Sequence, residues 1–345
     1  MDRRFHSELS ELDRVQFSVI PPDTVRKYSV VQIVHPETYE RGQPKEGGLM
    51  DLHMGPMDRS MQCSTCFQDM SQCKGHMGHI EFARPIVHPQ FAPTIYKILR
   101  CVCLNCSKVL ISHSDPKAKA VQKMRNISKL HGLVASCKNK TCCTNVYSTR
   151  NSGDLPCIHE DCDMVDEDNL LREGCNHPVP KIIKEGLRFF VERKPDRKGE
   201  EEEDASRPRK VPLSVEEIYL ILSDISDEDC LLMGLSPRWS RPEWFILDTI
   251  LVPPPCTRPS VMDSICRGED DLTHKLAEIV RSVNALNKKI QDGSSAGVVQ
   301  EATVALQANV ASYFDSDQPA YAMSSQRGGK ALKGIRQRLK GKEGR

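Results

Sequence analysis

The residues with the clearest potential for chemistry are three cysteines and a histidine within one short stretch. They follow the pattern C-x2-C-x6-C-x2-H and are Cys63, Cys66, Cys73 and His76. Structural zinc sites use four thiolate or imidazole ligands in a tetrahedron, and two short knuckles can supply all four. His79 follows closely and is an alternative fourth ligand. Cysteines that are buried or redox-active without a metal are the other interpretation, but paired knuckles rarely arise by chance.

A second C-x2-C pair, Cys103 and Cys106, needs two further ligands from later in the chain. The candidate thiols are Cys137, Cys142, Cys143, Cys157, Cys162 and Cys175. Spacing alone does not choose among them, and His177 is an alternative ligand close to Cys175, although a surface position is favoured for it. Cys101 is expected to be a buried core residue, because a free cysteine packs as a small apolar side chain.

The composition indicates an intracellular protein made of several parts rather than one large core. The chain has 345 residues, of which 39% are hydrophobic and 5% aromatic, with 15 cysteines and a net charge of +1. Residues 1–14 are charged rather than apolar, so no secretory signal is expected and metal binding is favoured over disulfides. No apolar run approaches the ~20 residues of a membrane helix, so no membrane partner is expected. We therefore predict a mixed α+β fold in several parts, held together by zinc.

Hydrophobic periodicity predicts the elements that position these residues. Residues 17–34 read as a strand, a Pro-Pro turn, a short helix and a second strand, and residues 79–91 read as a strand with a proline-terminated edge. A helix is expected over residues 93–102. Ser214 with Glu217 three residues later has the spacing of a capping box, which predicts a helix start there.

Two longer stretches have apolar residues at helical spacing. The first stripe is formed by Leu272, Leu276, Ile279, Val283, Leu286 and Ile290. The second is formed by Val299, Thr303, Leu306, Val310 and Tyr313. A polar turn at residues 293–295 joins the two stretches, so the pattern predicts an antiparallel helical hairpin with an exposed polar tip over residues 288–295.

The last 19 residues are basic and contain a single acid, Glu343. The basic residues are Arg327, Lys330, Lys333, Arg336, Arg338, Lys340, Lys342 and Arg345. No aromatic residue is present to stack on bases, and several glycines separate the charges, which is typical of phosphate contact rather than sequence recognition. A solvated tail or a nuclear-import signal is the alternative interpretation.

Several strings together resemble one family, the N-terminal clamp of the largest subunit of multi-subunit RNA polymerases. They are GGLMDLHMG at 47–55, the stretch from CSTC to IVHP at 63–89, and GIRQRLKGKEGR at 334–345. SRPEW at 240–244 and RGEDDLT at 267–273 resemble the polymerase II type and disfavour polymerases I and III.

The resemblance implies a role in DNA-directed RNA synthesis in the nucleus. It implies that Cys143 and Cys175 complete a second structural zinc site, and that the basic end holds template DNA and the RNA–DNA hybrid. It also implies docking of initiation and elongation factors on the helical hairpin, and contact with other subunits, in particular the second-largest. The family's catalytic Asp-x-Asp-x-Asp string is absent from the sequence, so magnesium is expected to bind outside this chain, which reads as a fragment of a larger subunit.

We therefore expect six segments along the chain. They are a clamp core with the first knuckles (1–100), a second zinc site with an insert (101–192), a charged disordered loop (193–210), helices with a Pro-rich lead into the lid (211–262), the lid end with the helical hairpin (263–315), and a rudder with the basic switch (316–345). A free-standing zinc-dependent nucleic-acid-binding or adaptor protein is the rival class. A catalytic zinc enzyme is disfavoured, because all-Cys/His knuckles leave no open position and contain no glutamate base.

Overall fold

The fold of the chain is known from a computed structural model, which describes residues 13–15, 17–113, 115–143, 145–148, 170–193, 209–262, 267–317, 331–342 and 344. The helices are Pro22–Tyr28 (α1), Ala92–Leu99 (α2), Pro116–Gln122 (α3), Asn126–Cys137 (α4), Val215–Ser223 (α5), Asp227–Leu232 (α6), Asp271–Gln291 (α7), Ala296–Phe314 (α8) and Ile335–Leu339 (α9). The strands are Ser29–Gln32 (β1), Tyr39–Glu40 (β2), Gln43–Pro44 (β3), Met77–Val87 (β4), Asn145–Ser148 (β5), Leu170–Glu173 (β6), Lys181–Glu185 (β7), Arg188–Arg193 (β8), Arg209–Leu213 (β9), Ile246–Val252 (β10), Val261–Met262 (β11) and Arg267–Gly268 (β12).

The three-stranded sheet β1-β4-β10 lies next to the first cysteine knuckles. The long strand β4 is central, with β1 parallel on one side and β10 antiparallel on the other. The prediction of a proline-terminated edge over residues 79–91 is therefore wrong. Pro85 is tolerated because the β4–β10 register shifts there, with residues 82–85 of β4 facing only Asp248 of β10 between the paired positions. A proline inside a sheet is found at such a bulge, where no ladder hydrogen bond is lost.

The two longest helices, α7 and α8, lie side by side and antiparallel. Lys275 near the start of α7 donates from Nζ to Ser312 Oγ near the end of α8 at 2.5 Å. Asn309 Nδ2 donates to Ser282 Oγ at 2.6 Å further along the pair. The predicted stripe residues are buried in both helices except Ile290, which is 41% exposed close to the connecting turn. The packing seam thus ends one turn before the tip.

The α7–α8 pair is attached to the sheet by side chains that bond to backbone groups. Gln307 of α8 accepts from Val87 N at 2.8 Å and donates to Val87 O at 2.9 Å. Asn284 of α7 donates to Val34 O at 3.0 Å. Apolar residues of the sheet and of both helices form one common core. The helices therefore have a fixed position relative to the sheet that leads out of the first knuckles.

Replacement of Gln307 by leucine is expected to destabilise this attachment by about 2 kcal/mol, because Val87 N and Val87 O both lose their partner in a partly buried place. The measurement is thermal or urea unfolding of the chain. Gln300→Leu on the exposed face of the same helix is the matched control, and its stability should stay close to that of the unmodified protein. Equal stability losses in the two variants would contradict the proposed attachment.

A second core surrounds the later cysteines. Helices α2 to α6 and the antiparallel meander β7-β8-β9 contribute to it. The predicted capping box is confirmed, since Ser214 Oγ accepts from Glu217 N while the Glu217 carboxylate accepts from Ser214 N. Cys101 is fully buried in this core and lies beside the equally buried Cys137, as expected for a packing residue.

Other expectations have mixed outcomes. The predicted strand beginning at Phe17 is wrong: the segment before α1 pairs with no strand, and the Phe17 side chain is 95% exposed. The charged loop at 194–208, the segment at 318–330, and Cys157 and Cys162 lie outside the described residues. No helix in the described ranges is long and apolar enough to cross a membrane.

Candidate metal centres and nucleic-acid interface

The first knuckle, Cys63–Cys66, is shaped by backbone hydrogen bonds around one sulfur atom. Cys63 O accepts from Phe67 N at 2.9 Å, and Cys63 N donates to Gln68 O at 2.9 Å. Thr65 N points at Cys63 Sγ at 3.4 Å. Phe67 closes the turn in the left-handed region, with φ of 58°. N–H groups directed at a sulfur stabilise a thiolate, which is the form that binds a metal.

The knuckle Cys103–Cys106 repeats this geometry. Cys103 O accepts from Ser107 N at 3.0 Å, and Cys103 N donates to Lys108 O at 2.9 Å. Asn105 N points at Cys103 Sγ at 3.4 Å, and Ser107 has φ of 57°. Two segments without a shared sequence beyond C-x2-C thus adopt the same turn, which indicates a shared purpose for that turn.

The structure brings the predicted ligands together in two groups of four. The first group contains Cys63, Cys66, Cys73 and His76, and the second contains Cys103, Cys106, Cys143 and Cys175. Within each group the sulfur or nitrogen atoms lie within 4.8 Å of one another. In the second group, the Sγ atoms of Cys103 and Cys175 are 3.5 Å apart and those of Cys106 and Cys143 are 3.6 Å apart. These groups could bind metal ions and are compatible with zinc.

The alternatives that the sequence left open are placed elsewhere. His79 lies in β4, where its Nδ1 is 2.7 Å from Ser29 Oγ. Cys142 forms a backbone bridge with Pro178, and Cys137 lies against Cys101. The His177 ring is exposed, with Nδ1 3.0 Å from Cys175 O. None of the four belongs to a group of potential ligands among the described residues.

Two glycines make close approaches that the groups require. Gly75 has φ of +84°, which confirms the sharp turn in the second knuckle, and a Cβ there would lie 2.7 Å from Pro254 Cβ and 2.8 Å from Cys256 Sγ. Gly174 has φ of +144°, and a Cβ there would lie 2.2 Å from Cys143 O. Only glycine avoids these collisions. The Pro-rich segment therefore packs directly on the first group, a contact that the sequence did not reveal.

The electrostatics of both groups suit a cation. Burial acts to raise the pKa of Cys175, but hydrogen bonds from the backbone at His177 and from Cys103 outweigh it and lower that pKa to about 6. Burial raises the pKa of Cys73 to about 11, and the charge of Cys63 adds to the rise. One thiolate forms readily in such a group, and a bound divalent cation would remove the repulsion that opposes the next.

His76 provides a further test of whether a metal fits the first group. Its Nε2 atom is buried and has no hydrogen-bond partner among the described residues. A buried polar atom without a partner costs free energy, and a metal ligand of the imidazole type explains it. The His76 backbone is fixed independently, because its N–H donates to Met54 O at 2.9 Å. The donor set of three sulfurs and one nitrogen is one that zinc prefers.

The predicted basic end divides into two kinds of residue. Arg336 Nη1 pairs with Asp315 Oδ2 at 2.5 Å, next to the end of α8. Arg338 Nη2 pairs with both oxygens of Asp270, the N-cap of α7, at 2.5 and 2.7 Å. These two arginines attach α9 to both ends of the α7–α8 pair. The sequence predicted the Asp270 cap but not its second role.

The lysines of the basic end face solvent. Lys333, Lys340 and Lys342 are exposed and form no ion pair with a described carboxylate. With Arg338 they line a concave surface of about 600 Å³. Arg327, Lys330 and Arg345 lie outside the described residues. The exposed cations are therefore available to an anion of the size of a phosphate chain.

Together, the mixed α/β fold and the two cysteine-rich groups define a metal-binding protein with a separate basic surface. A sequence model of the family RNA polymerase Rpb1, domain 1, matches residues 9–345, and the chain belongs to this family. It is therefore part of the largest subunit of a multisubunit DNA-directed RNA polymerase, a nucleotidyltransferase complex. Its partners include the other subunits of that polymerase, and its context is the transcription machinery.

Proposed function

We propose that this chain is the zinc-bound clamp of a polymerase II-type largest subunit and that it holds template DNA and the RNA–DNA hybrid in the nucleus. The observation that carries the proposal is the combination, in a chain of this family, of two complete ligand groups with exposed lysines on α9 and its following turn. The strings SRPEW at 240–244 and RGEDDLT at 267–273 support the polymerase II type.

In this proposal zinc is structural at both groups. Four protein ligands close the coordination shell, so no position remains for a substrate or an activated water. The metal instead supplies folding free energy, because the ligands come from segments that are far apart in the sequence. The second group, for example, joins Cys103 after α2 to Cys175 after β6.

The reaction itself is proposed to take place outside these 345 residues. No Asp-x-Asp-x-Asp string for the catalytic magnesium ions occurs in the sequence, and the closed cysteine-rich groups cannot replace it. The second-largest subunit is the proposed neighbour. The exposed tip of the α7–α8 pair, residues 288–295, is the proposed docking place for initiation and elongation factors.

The assignment to the polymerase II type is tested by depletion. An antibody against residues 1–345 should remove from a nuclear extract a complex that makes RNA from nucleoside triphosphates on a DNA template. The depleted extract should lose synthesis from promoters of messenger-RNA genes and keep the other transcription. Loss of a different class of transcripts would overturn the polymerase II assignment. Metal analysis of the purified complex should account for two zinc ions in this chain.

The double variant Lys340→Gln/Lys342→Gln is expected to weaken binding of the assembled polymerase to a template–RNA hybrid by about tenfold at 0.1 M salt. Removal of two phosphate contacts should also reduce the slope of log affinity against log salt by about 1.8. Fluorescence anisotropy over a salt series measures both quantities. The control Lys27→Gln/Arg188→Gln removes the same charge from exposed positions elsewhere. If both variants behave alike, the basic end is a solvated tail or an import signal.

A further inference from the structure

A second basic surface lies far along the sequence from the basic end, around the later cysteines. Between Lys97 and Cys143 the chain contains ten Lys and Arg residues and a single acid, Asp115, whereas the net charge of the whole chain is +1. The ten residues, which define the α3–α4 basic surface, are Lys97, Arg100, Lys108, Lys117, Lys119, Lys123, Arg125, Lys129, Lys138 and Lys140. The positive charge of the protein is thus strongly concentrated here.

These cations are available for an external partner. The six most accessible are Lys108, Lys117, Lys119, Lys123, Arg125 and Lys138. Within the described ranges, no carboxylate forms an ion pair with any of the ten, while other arginines of the chain do have carboxylate partners. Lys97 Nζ contacts only the His131 ring at 2.9 Å, and Arg100 lies over the Tyr96 ring. Unpaired cations at this density repel one another, so a polyanion bound to them would be stabilised.

The nearby metal group explains only part of this charge. A zinc ion with four thiolates carries a net charge of −2, and Lys108, Lys138 and Lys140 are close to its ligands in the sequence. That centre neutralises two of the nine excess positive charges, so a net charge of about +7 remains. The lysines of α3 are separated from the cysteine ligands by α4 and are not needed for this purpose.

The chemistry of the surface indicates which polyanion it fits. No Phe, Tyr or Trp occurs between Lys108 and Lys140, so the stacking that single-stranded nucleic acids need is missing. Eight of the ten cations are lysines, which act as point charges toward phosphates rather than reading base edges. Met124 and Ile127 are exposed among them, but two apolar side chains are few against ten charges.

We infer that the α3–α4 basic surface contacts the phosphate backbone of double-stranded DNA, as a second site that is independent of the basic end. The inference rests on the proposed function, because it takes DNA to be within reach of the assembled polymerase. The contact is expected to be insensitive to base sequence and strongly dependent on salt concentration.

The test uses the assembled polymerase carrying Lys117→Gln, Lys119→Gln and Lys123→Gln together. Glutamine keeps a similar helix propensity at these exposed positions of α3, so the fold and the zinc content should be retained. Binding to a blunt 30-base-pair DNA duplex should weaken by at least about tenfold, and the salt slope should fall by about 2.7 for three lost contacts. The control Lys27→Gln/Arg59→Gln/Arg188→Gln removes three exposed charges elsewhere and should leave both quantities nearly unchanged.

Three results would overturn the inference. One is an equal effect, or no effect, in the α3 variant and its control. Another is stronger competition by single-stranded RNA than by duplex DNA. The last is unchanged duplex binding while a peptide of residues 151–169, which has seven acidic residues, binds the unmodified protein and not the variant. RNA extension on a preassembled template–primer separates this from failure of the proposed function, because only the latter abolishes extension.

Discussion

Replacement of Cys143 by serine is expected to remove one of two zinc ions from the chain and to unfold the region around α2 to α4. A serine hydroxyl is a poor zinc ligand, and binding of structural zinc contributes apparent folding free energies of about 10–16 kcal/mol in small zinc domains. Whole domains have a net stability of only about 5–15 kcal/mol. The loss of one ligand therefore exceeds what this core can absorb. Metal analysis and hydrogen exchange of the α2–α4 amides measure the two effects.

The adjacent residue provides a matched control. Cys142 has the same chemistry one position earlier, but it lies outside the ligand group and forms a backbone bridge with Pro178. Cys142→Ser should therefore keep both zinc ions and the exchange protection of the unmodified protein. A zinc ion lost from Cys142→Ser but kept in Cys143→Ser would show that the chain uses the other cysteine. Retention of both ions in both variants would show that the second group does not bind zinc.

The sequence predicted the ligands well where they lie in short repeating patterns. The spacing of Cys63, Cys66, Cys73 and His76 is determined by local turns, so the geometry of the group follows from the neighbouring residues. The partners of Cys103 were different, because their approach depends on how a hairpin from another part of the chain packs. Spacing carries no information on such contacts, and the family resemblance alone indicated Cys143 and Cys175.

The elements show the same division between local and long-range causes. The burial of Leu276 or Leu306 follows from helical periodicity, and the capping box at Ser214 follows from two residues. The central position of β4 does not, because Pro85 in a strand usually marks an edge. It is tolerated here through a register shift against β10, which only the tertiary arrangement creates.

Arg258 is the residue that sequence reasoning missed with the largest expected effect on stability. Its side chain is completely buried, yet the sequence shows only an arginine between prolines. Its guanidinium donates to Pro253 O at 2.9 Å, to Thr273 Oγ1 at 3.1 Å and to Leu49 O. It thereby joins the Pro-rich segment, the start of α7 and the Gly-rich loop before the first knuckle. Burial lowers its pKa to about 10, so the group is still protonated at neutral pH.

Replacement of Arg258 by methionine should destabilise the protein by about 3 kcal/mol, because three buried acceptors lose their donor while the cost of burying a cation is relieved. Arg258→Lys should have an intermediate effect, since an ammonium group cannot reach all three acceptors as a planar fork does. The loop that Arg258 fixes includes Met54, whose carbonyl accepts from His76 N. We therefore also expect zinc to leave the first group faster in the presence of a chelator.

The rate of zinc loss tests this role more sharply than stability alone. In Arg258→Met, the first zinc should be released several-fold faster, while the second, which has no contact with that loop, should leave at the unmodified rate. Arg59→Met, an exposed arginine near the first group, is the control and should change neither rate. Equal acceleration at both groups would indicate general loosening of the fold, and no acceleration at either would show that Arg258 does not support the knuckle. The predicted asymmetry arises because one buried guanidinium supports only the loop that positions His76.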